Sequence, residues 1–369
     1  MGQPARPGTR LQRSRRRTLA AAAAFGLTAA AALAVVGCGG GDDDAGTATA
    51  TPTTAASSPA EVVRRTLVLD YQPNAVHAGI AEALEAGDFK AKGLDLKVVA
   101  PSSTSDALTQ VGRGRADYGL ADLIDVARRN DRALKDPAAR TDAKLFAGRG
   151  GVRIVGAVVQ QPLSGILVNA KSAITKPEQL AGKRIAVTGL PSDVAVVDAI
   201  ARKDGKPVKT DQITLGFDGL KALHAGRVDA ATAYWPADAV TLEQLGTPAR
   251  RFTLSDAGLE YPGLVAFVKP GSRAEAQGAA FGEALTAGTD AVVADPSKGE
   301  SALAARYPEL DAKVTAAQLA NYVPLFGAAG AAGTVTDEAL NRFAEFAAET
   351  KLTSRKLTAD ELRGAIPRS

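Results

Sequence analysis

The chain has 369 residues, of which 46% are hydrophobic and 23% charged, a composition typical of a folded globular protein. Its single cysteine excludes a disulfide-stabilised scaffold. The formal charge of +4 arises at the N-terminus, because residues 1–37 contain six arginines and no acid, so the chain from Cys38 onward carries −2. The charge therefore gives no indication of a nucleic-acid partner.

The N-terminus is typical of a bacterial export signal. Its basic residues end at Ser14-Arg15-Arg16-Arg17, and an uncharged, alanine-rich stretch follows over 18–37. This stretch ends in Ala34-Val35-Val36-Gly37-Cys38, which resembles a lipobox, the motif whose cysteine is acylated and becomes the mature N-terminus. We predict a signal peptide over 1–37, exported by the Sec or the twin-arginine route, and lipidation of Cys38. The alternative is an ordinary signal peptide with an incidental cysteine.

The segment over 38–64 is predicted to be the lipidated cysteine followed by a flexible linker. It is rich in Gly, Asp, Thr, Ala, Ser and Pro and contains too few apolar residues to form a core. No later segment resembles a membrane span. We expect a protein anchored by lipid to the extracytoplasmic face of the cell membrane.

From Arg65 onward, short apolar runs alternate with amphipathic stretches, which favours an α/β fold. Thr175 and Glu178 have the spacing of a capping box. The chain after Arg273 is predicted to be mainly helical. The predicted strands cover 66–70, 94–99, 116–120, 152–159, 165–168, 184–188, 230–234 and 264–268, and the earlier helices cover 78–86, 105–111 and 122–130.

An internal repeat indicates two lobes of similar construction. The first copy is Gly114-Arg115-Ala116-Asp117-Tyr118-Gly119, and the second is Gly226-Arg227-Val228-Asp229-Ala230-Ala231. Each copy predicts a helix ending at glycine, a turn at aspartate and then an apolar strand. The alternative is coincidence between two common turn sequences.

The sequence contains no recognisable catalytic motif, so we predict no catalytic residues, metal ligands or cofactor. GxSxG, HExxH, P-loop and GxGxxG patterns are lacking. The two histidines, His77 and His224, are far apart in the chain, and a histidine or cysteine metal site needs three or four ligands. A hydrolase built on a carboxylate pair remains an alternative.

The segment Leu69–Gly79 is the strongest candidate for a site, because it follows the first predicted strand, where open α/β sheets bind ligands. Pro73 sets a turn, and Asn74 can cap the next helix. This segment, together with Ala83–Asp95 and Gly114–Gly119, resembles the NMT1/THI5-like family, whose pattern includes L-D-[WY]-x-P-N-x-x-H and G-x-A-D-[FY]-G. The resemblance extends over about 66–270.

The resemblance implies a two-lobe α/β fold of the periplasmic-binding-protein kind, type II-like, with a ligand cleft between the lobes. It implies a monomer that delivers an aminopyrimidine precursor of thiamine to ABC permease and ATPase subunits. We expect lobe one over 65–162 and 265–369 and lobe two over 163–264. Eukaryotic members are pyrimidine synthases with a lysine and a histidine after the third strand. Here Ala121 and Asp125 stand at those positions, which favours binding over catalysis.

An aminopyrimidine offers two π-faces for stacking and an edge of hydrogen-bond donors and acceptors. The aromatic residues at predicted strand ends are Tyr71, Tyr234, Trp235 and Tyr261. Trp235 could instead pack in the core. The predicted ligand-binding residues are Asp70, Tyr71, Asn74, His77, Ser192, Asp193, Trp235, Glu260 and Tyr261.

The main alternative is the same fold binding an alkanesulfonate, nitrate or another small anion. Arg149 and Arg153 would favour it if they faced the cleft, and so would free backbone N–H groups over 189–193. A synthase-like enzyme is a further alternative.

Overall fold

The computed structural model describes residues 62–103 and 106–366. The predicted signal peptide, Cys38 and most of the linker lie outside the described residues. In the part of the chain that is described, no helix is long and apolar enough to span a membrane.

Strands and helices alternate through the first two thirds of the described chain, and helices dominate the last third. In chain order the strands are β1 (Val63–Val68), β2 (Leu94–Val99), β3 (Tyr118–Asp122), β4 (Arg153–Val159), β5 (Ser164–Asn169), β6 (Arg184–Val187), β7 (Arg202–Lys203), β8 (Lys206–Pro207), β9 (Asp211–Thr214), β10 (Ala230–Tyr234), β11 (Ala249–Thr253) and β12 (Leu264–Val268). The α-helices are α1 (Ala78–Glu85), α2 (Asp88–Ala91), α3 (Asp106–Gly112), α4 (Leu123–Ala133), α5 (Ala143–Gly148), α6 (Pro191–Ile200), α7 (Gly219–His224), α8 (Trp235–Gln244), α9 (Gly278–Ala294), α10 (Pro296–Arg306), α11 (Ala312–Tyr322), α12 (Asp337–Glu349) and α13 (Ala359–Arg363).

Two five-stranded sheets organise the molecule, and they have the same strand order. The first sheet runs β2-β1-β3-β12-β4 and the second runs β9-β6-β10-β5-β11. In each sheet the first three strands are parallel, and the fourth is antiparallel to both of its neighbours. The chain passes to the second sheet between Val159 and Ser164 and returns between Thr253 and Leu264.

The two connections between the sheets pass very close to each other. Gly263 lies on the return connection, and a Cβ atom there would overlap the carbonyl oxygen of Gln161 on the outgoing one. Only glycine permits this approach. The Gly263 N–H also donates to the Val159 carbonyl, with 3.0 Å between the two atoms.

The internal repeat forms the same turn in both sheets. Asp117 forms two hydrogen bonds with Thr66. Its side chain accepts from the Thr66 N–H at 2.8 Å, and its own N–H donates to the Thr66 carbonyl at 3.1 Å. Asp229 makes the same pair of bonds to Arg184, each 2.9 Å long. Gly114 and Gly226 precede them with φ of 69° and 68°, as a glycine ending a helix requires. The two repeats therefore lead into equivalent central strands, β3 and β10.

Both faces of the sheets are buried, as parallel strands covered by helices require. Side chains of consecutive strand residues point to opposite faces of a sheet. The consecutive β1 residues Leu67 and Val68 are both fully buried, and they belong to different core clusters. Helix α9 packs on α1 and β4, whereas α13 packs on α4. Tyr118 stacks on Phe281 of α9 at 4.4 Å between ring centroids, so the C-terminal helices complete the core of the first lobe.

The predicted bounds of β2 and β10 are those observed. Asp122 caps α4 and is the last residue of β3, where the sequence predicted the helix to begin.

The short helix after Lys176 is capped by Gln179, which accepts from the Thr175 and Lys176 N–H groups, and the capping box predicted with Glu178 is therefore wrong. The edge strands β9 and β11 were not predicted, because they are polar and only partly buried.

Candidate functional site

The two lobes meet where their central strands end. Asp122 is the last residue of β3, and Tyr234 is the last residue of β10. The Tyr234 hydroxyl donates to Asp122 Oδ2 across 3.1 Å. Because ligands of open α/β sheets bind beyond the carboxyl ends of parallel strands, this contact marks the cleft between the lobes as the candidate site.

The turn after β1 is braced by hydrogen bonds among three of the predicted site residues. The Asn74 side chain accepts from the Val76 N–H at 3.0 Å, and the Asn74 N–H donates to His77 Nδ1 at 3.2 Å. Nδ1 is therefore the unprotonated ring nitrogen, and Nε2–H donates to Asp70 Oδ1 at 2.9 Å. His77 is buried, and its imidazole orients the Asp70 carboxylate at the cleft.

Three carboxyl groups of the first lobe lie close enough to influence one another: Asp70 in the turn after β1, Asp122 at the end of β3 and Asp125 in α4. Asp122 is buried, and its Oδ1 caps α4 by accepting from the Ile124 N–H at 2.7 Å. Burial, with the charges of Asp125 and Asp70 adding to it, raises the pKa of Asp122 to about 7. Burial also raises the pKa of Asp125, and the charge of Asp193 from the second lobe reinforces the shift.

The first turn of α6 contributes a further carboxylate, that of Asp193. Asp193 Oδ2 accepts from the Gly189 N–H at 2.8 Å and from the Thr188 hydroxyl at 2.9 Å. Asp193 Oδ1 accepts from the Thr232 hydroxyl at 3.3 Å. The Gly189 N–H, which the anion alternative would use, therefore bonds to a negative side chain of the protein, and the partly buried Ser192 lies beside it.

The predicted aromatic residues occupy different environments. Tyr71 is 44% exposed, and desolvation together with the charge of Asp238 raises its pKa. Trp235 is only 7% exposed, with the Arg251 guanidinium 4.2 Å from its ring centroid. Trp235 is the first residue of α8, and its backbone N–H donates to the Leu163 carbonyl at 3.1 Å.

Tyr261 and its neighbour Glu260 also differ in burial. The Tyr261 ring packs against Phe343 and Phe346 of α12, with centroid distances of 4.8 and 6.0 Å. Its hydroxyl is buried and has no hydrogen-bond partner among the described residues. Glu260 is exposed. Ligand contact by Trp235, Glu260 and Tyr261 stays a prediction.

Asp122, Asp125 and Asp238 were not predicted as site residues, and Tyr234 was considered only as an aromatic ring at a strand end. The internal repeat contains a signal for two of these residues, Asp122 and Tyr234. Asp122 follows Asp117 at the same spacing at which Tyr234 follows Asp229. Aligning the two copies therefore pairs Asp122 with Tyr234.

The arginines that the anion alternative would use are bonded to acids. Arg149 Nη2 lies 2.9 Å from Asp136 Oδ2, and Arg153 Nη1 lies 2.8 Å from Glu275 Oε1. Among residues 62–103 and 106–366, no group of three or more His, Cys, Asp or Glu side chains is placed to hold a metal ion.

Two solved structures with the same architecture are named as sulfonate-binding proteins. The alkanesulfonate-binding protein of Xanthomonas axonopodis pv. citri, bound to MOPS, is 18% identical, covers 84% of this chain and 100% of its own, and has a TM-score of 0.60. The aliphatic sulphonate-binding protein of Escherichia coli is 17% identical, with coverages of 84% and 92% and a TM-score of 0.59. The chain has the two-lobe periplasmic-binding-protein fold, as the sequence predicted.

The family is shown by matches over more than half of the chain. The model described as NMT1/THI5 like matches residues 74–138 and 142–299, and the chain belongs to this family. A formylaminopyrimidine-binding protein of Halalkalibacterium halodurans is 25% identical over 243 residues, which are 64% of this chain and 68% of the relative. A 4-amino-5-hydroxymethyl-2-methylpyrimidine phosphate synthase of Saccharomyces cerevisiae is 26% identical over 180 residues. That match covers 48% of each chain, so this chain spans about half the length of the yeast relative.

Proposed function

We propose that this protein is the extracytoplasmic, lipid-anchored substrate-binding component of an ABC importer and that its ligand is an aminopyrimidine precursor of thiamine. The observation that carries the ligand class is the set of carboxyl groups at the cleft, Asp70, Asp122 and Asp125 from one lobe and Asp193 from the other. Such a cleft favours a ligand rich in N–H donors. The name of the Halalkalibacterium relative supports the same class.

The same carboxyl groups argue against a sulfonate or nitrate ligand, the alternative that the names of the structural neighbours suggest. A bound anion would lie beside carboxyl groups that already raise one another's pKa, so further negative charge there is unfavourable. Arg149 and Arg153 are each already bonded to an acid. An aminopyrimidine does not require a cation at the site.

We propose binding without turnover, although the yeast relatives are named as synthases. The resemblance places Asp125 where those enzymes carry a histidine, and a carboxyl group whose pKa is raised beside other acids does not supply imidazole chemistry. Ala121, at the position of their lysine, has no functional group.

We further propose that lobe one comprises 65–162 and 265–369, that lobe two comprises 163–264, and that ligand binding closes the cleft about the two connections. The strand membership of the two sheets supports this division. Hinge opening would break the Asp122–Tyr234 hydrogen bond to admit a ligand, and closure would bring the two lobes together around it.

The test is calorimetric titration of the full-length protein with hydroxymethylpyrimidine, a formylaminopyrimidine and MOPS. We expect saturable one-site binding of an aminopyrimidine, no binding of MOPS, and an unchanged ligand mass on recovery. Binding of MOPS without binding of either pyrimidine would establish the anion alternative, and a changed mass would establish an enzyme.

The anchor has a separate test in a bacterial host. A Cys38→Ser variant is expected in the soluble extracytoplasmic fraction, with the wild type and the linker variant Ser58→Ala in the membrane fraction. Membrane attachment of Cys38→Ser would contradict lipidation at this cysteine.

A further inference from the structure

Asp122 is the carboxyl group at the cleft that already accepts a donor from the opposite lobe. Its Oδ1 is engaged by the α4 backbone and its Oδ2 by the Tyr234 hydroxyl. A carboxyl group has about four lone-pair positions on its two oxygens, so each oxygen retains capacity for another bond. The position of the Tyr234 hydroxyl shows where a ligand donor would meet this group.

The groups facing Asp122 from the surrounding elements are acidic or phenolic. Asp125 faces it from α4, Asp70 from the turn after β1, Tyr234 from β10 and Tyr261 from the segment before β12. The cations Arg128 and Arg132 lower the pKa of Asp125 and are not among the causes that shift the pKa of Asp122. Burial, together with the charges of Asp125 and Asp70, raises the pKa of Asp122 to about 7, whereas the hydrogen bonds from the Ile124 N–H and the Tyr234 hydroxyl lower it.

We propose that Asp122 recognises the amino group and adjacent ring nitrogen of the aminopyrimidine through two hydrogen bonds that share a single proton. This inference rests on the proposed function. The ligand edge offers one N–H donor beside one nitrogen acceptor, and a protonated carboxyl group offers one acceptor beside one O–H donor. The proton lies either on Asp122 or on the ring nitrogen. Below pH 7 the protonated Asp122 supplies it and no proton is exchanged with solution, whereas above pH 7 one proton is taken up on binding.

A second feature of the site independently indicates a polar ligand. The Tyr261 hydroxyl is buried without a partner, and the charge of Asp122 contributes to its raised pKa. Strand β12 begins three residues later and pairs Leu264 with Asp122, which places Tyr261 at the same edge of the sheet. A polar ligand group beside Asp122 would supply the missing partner, since a buried hydroxyl is ordinarily hydrogen-bonded.

The test compares the pH dependence of hydroxymethylpyrimidine binding to the wild type and to Asp122→Asn. Wild-type affinity is expected to fall about tenfold for each pH unit above 7, because the shared proton must then be taken from solution. Asparagine has a fixed donor and a fixed acceptor and also caps helices well. Asp122→Asn should therefore bind within about threefold of the wild type at pH 6.5 and show no fall above pH 7.

Two controls and a second measurement complete the test. Asp142→Asn, which changes another helix-capping aspartate of the first lobe, should keep the wild-type pH profile. A ligand lacking the amino group should bind at least about tenfold more weakly, because a buried acceptor loses its partner. Calorimetry in buffers of different ionisation enthalpy should show about one proton taken up by the wild type at pH 8 and none by Asp122→Asn.

If the affinity of Asp122→Asn falls above pH 7 as steeply as that of the wild type, the proton belongs to another group and the inference is overturned. A wild-type affinity that does not change with pH, without proton uptake, would also overturn the inference. It would not contradict the proposed function. Failure of every aminopyrimidine to bind the wild type at any pH would overturn the proposed function and this inference together.

Discussion

Replacing Trp235 by alanine will show whether this side chain belongs to the core or to the wall of the cleft. The ring is 7% exposed, so the substitution removes almost the whole of its buried surface. An aromatic side chain buries about 150–250 Å², and at about 25 cal/mol per Å² this corresponds to roughly 4–6 kcal/mol. Measured aromatic-to-alanine changes in protein cores cost about 3–5 kcal/mol. We therefore expect a loss of about 4 kcal/mol in the free energy of unfolding.

The assay is urea unfolding followed by far-ultraviolet circular dichroism, with Arg251→Gln as the matched variant. Arg251 lies over the ring but is itself exposed, so its loss should cost only about 0.5–1 kcal/mol. In the double variant the Arg251 change should cost less than it does alone, because its partner is already gone. Trp235 is the chain's single tryptophan, so its emission reports on this position alone.

For a core residue, saturating hydroxymethylpyrimidine should leave the tryptophan emission nearly unchanged. The opposite pattern would refute the reasoning: a loss of less than about 1 kcal/mol in Trp235→Ala, together with a strong ligand effect on wild-type emission and weakened binding. That pattern would make Trp235 a stacking residue of the cleft.

The remaining predictions concern stability. Asp117→Ala and Asp229→Ala should each cost about 1–2 kcal/mol in urea unfolding, and their costs should add, because the two equivalent turns lie in different lobes; a loss in only one of them would contradict the equivalence. Tyr261→Phe should raise the stability of the ligand-free protein by about 1 kcal/mol, since it removes a buried hydroxyl without a partner, and a lower melting temperature would contradict this. Desolvation raises the folded-state pKa of Asp238 to about 7. The stability contributed by its protonated form is therefore complete below about pH 4 and is lost as the pH rises through 7. Asp238→Asn should therefore reduce the decline in melting temperature between pH 5 and 8, and an unchanged decline would exclude Asp238 as a source.

The sequence predicted those parts of the fold that depend on local pattern. The alternating and apolar residues of β2 and β10 defined their strands, and Pro73 with Asn74 defined the turn after β1. Strands β9 and β11 lie at the edges of their sheet, where polar residues are tolerated, so hydrophobic pattern could not detect them.

The candidate site was only partly predictable, because it depends on residues brought together from different lobes. The Asp122–Tyr234 hydrogen bond joins positions 112 residues apart, and no local pattern encodes it. The burial of Trp235 depends on the path of α8 over β5 and β11, which the chain order alone does not specify. The bracing of Asp70 by His77 is local, and its residues were all among those predicted.

The shared strand order makes Asp122 and Tyr234 counterparts of each other in the two halves of the chain. If the halves arose by duplication, identical residues once faced one another at this point. Two carboxyl groups there would repel or compete for one proton, and two phenols would crowd the space that a ligand needs. Divergence of one copy to an acceptor and the other to a donor removes that conflict. It also makes the two walls of the cleft chemically distinct, so that a small asymmetric molecule is held in one orientation instead of two.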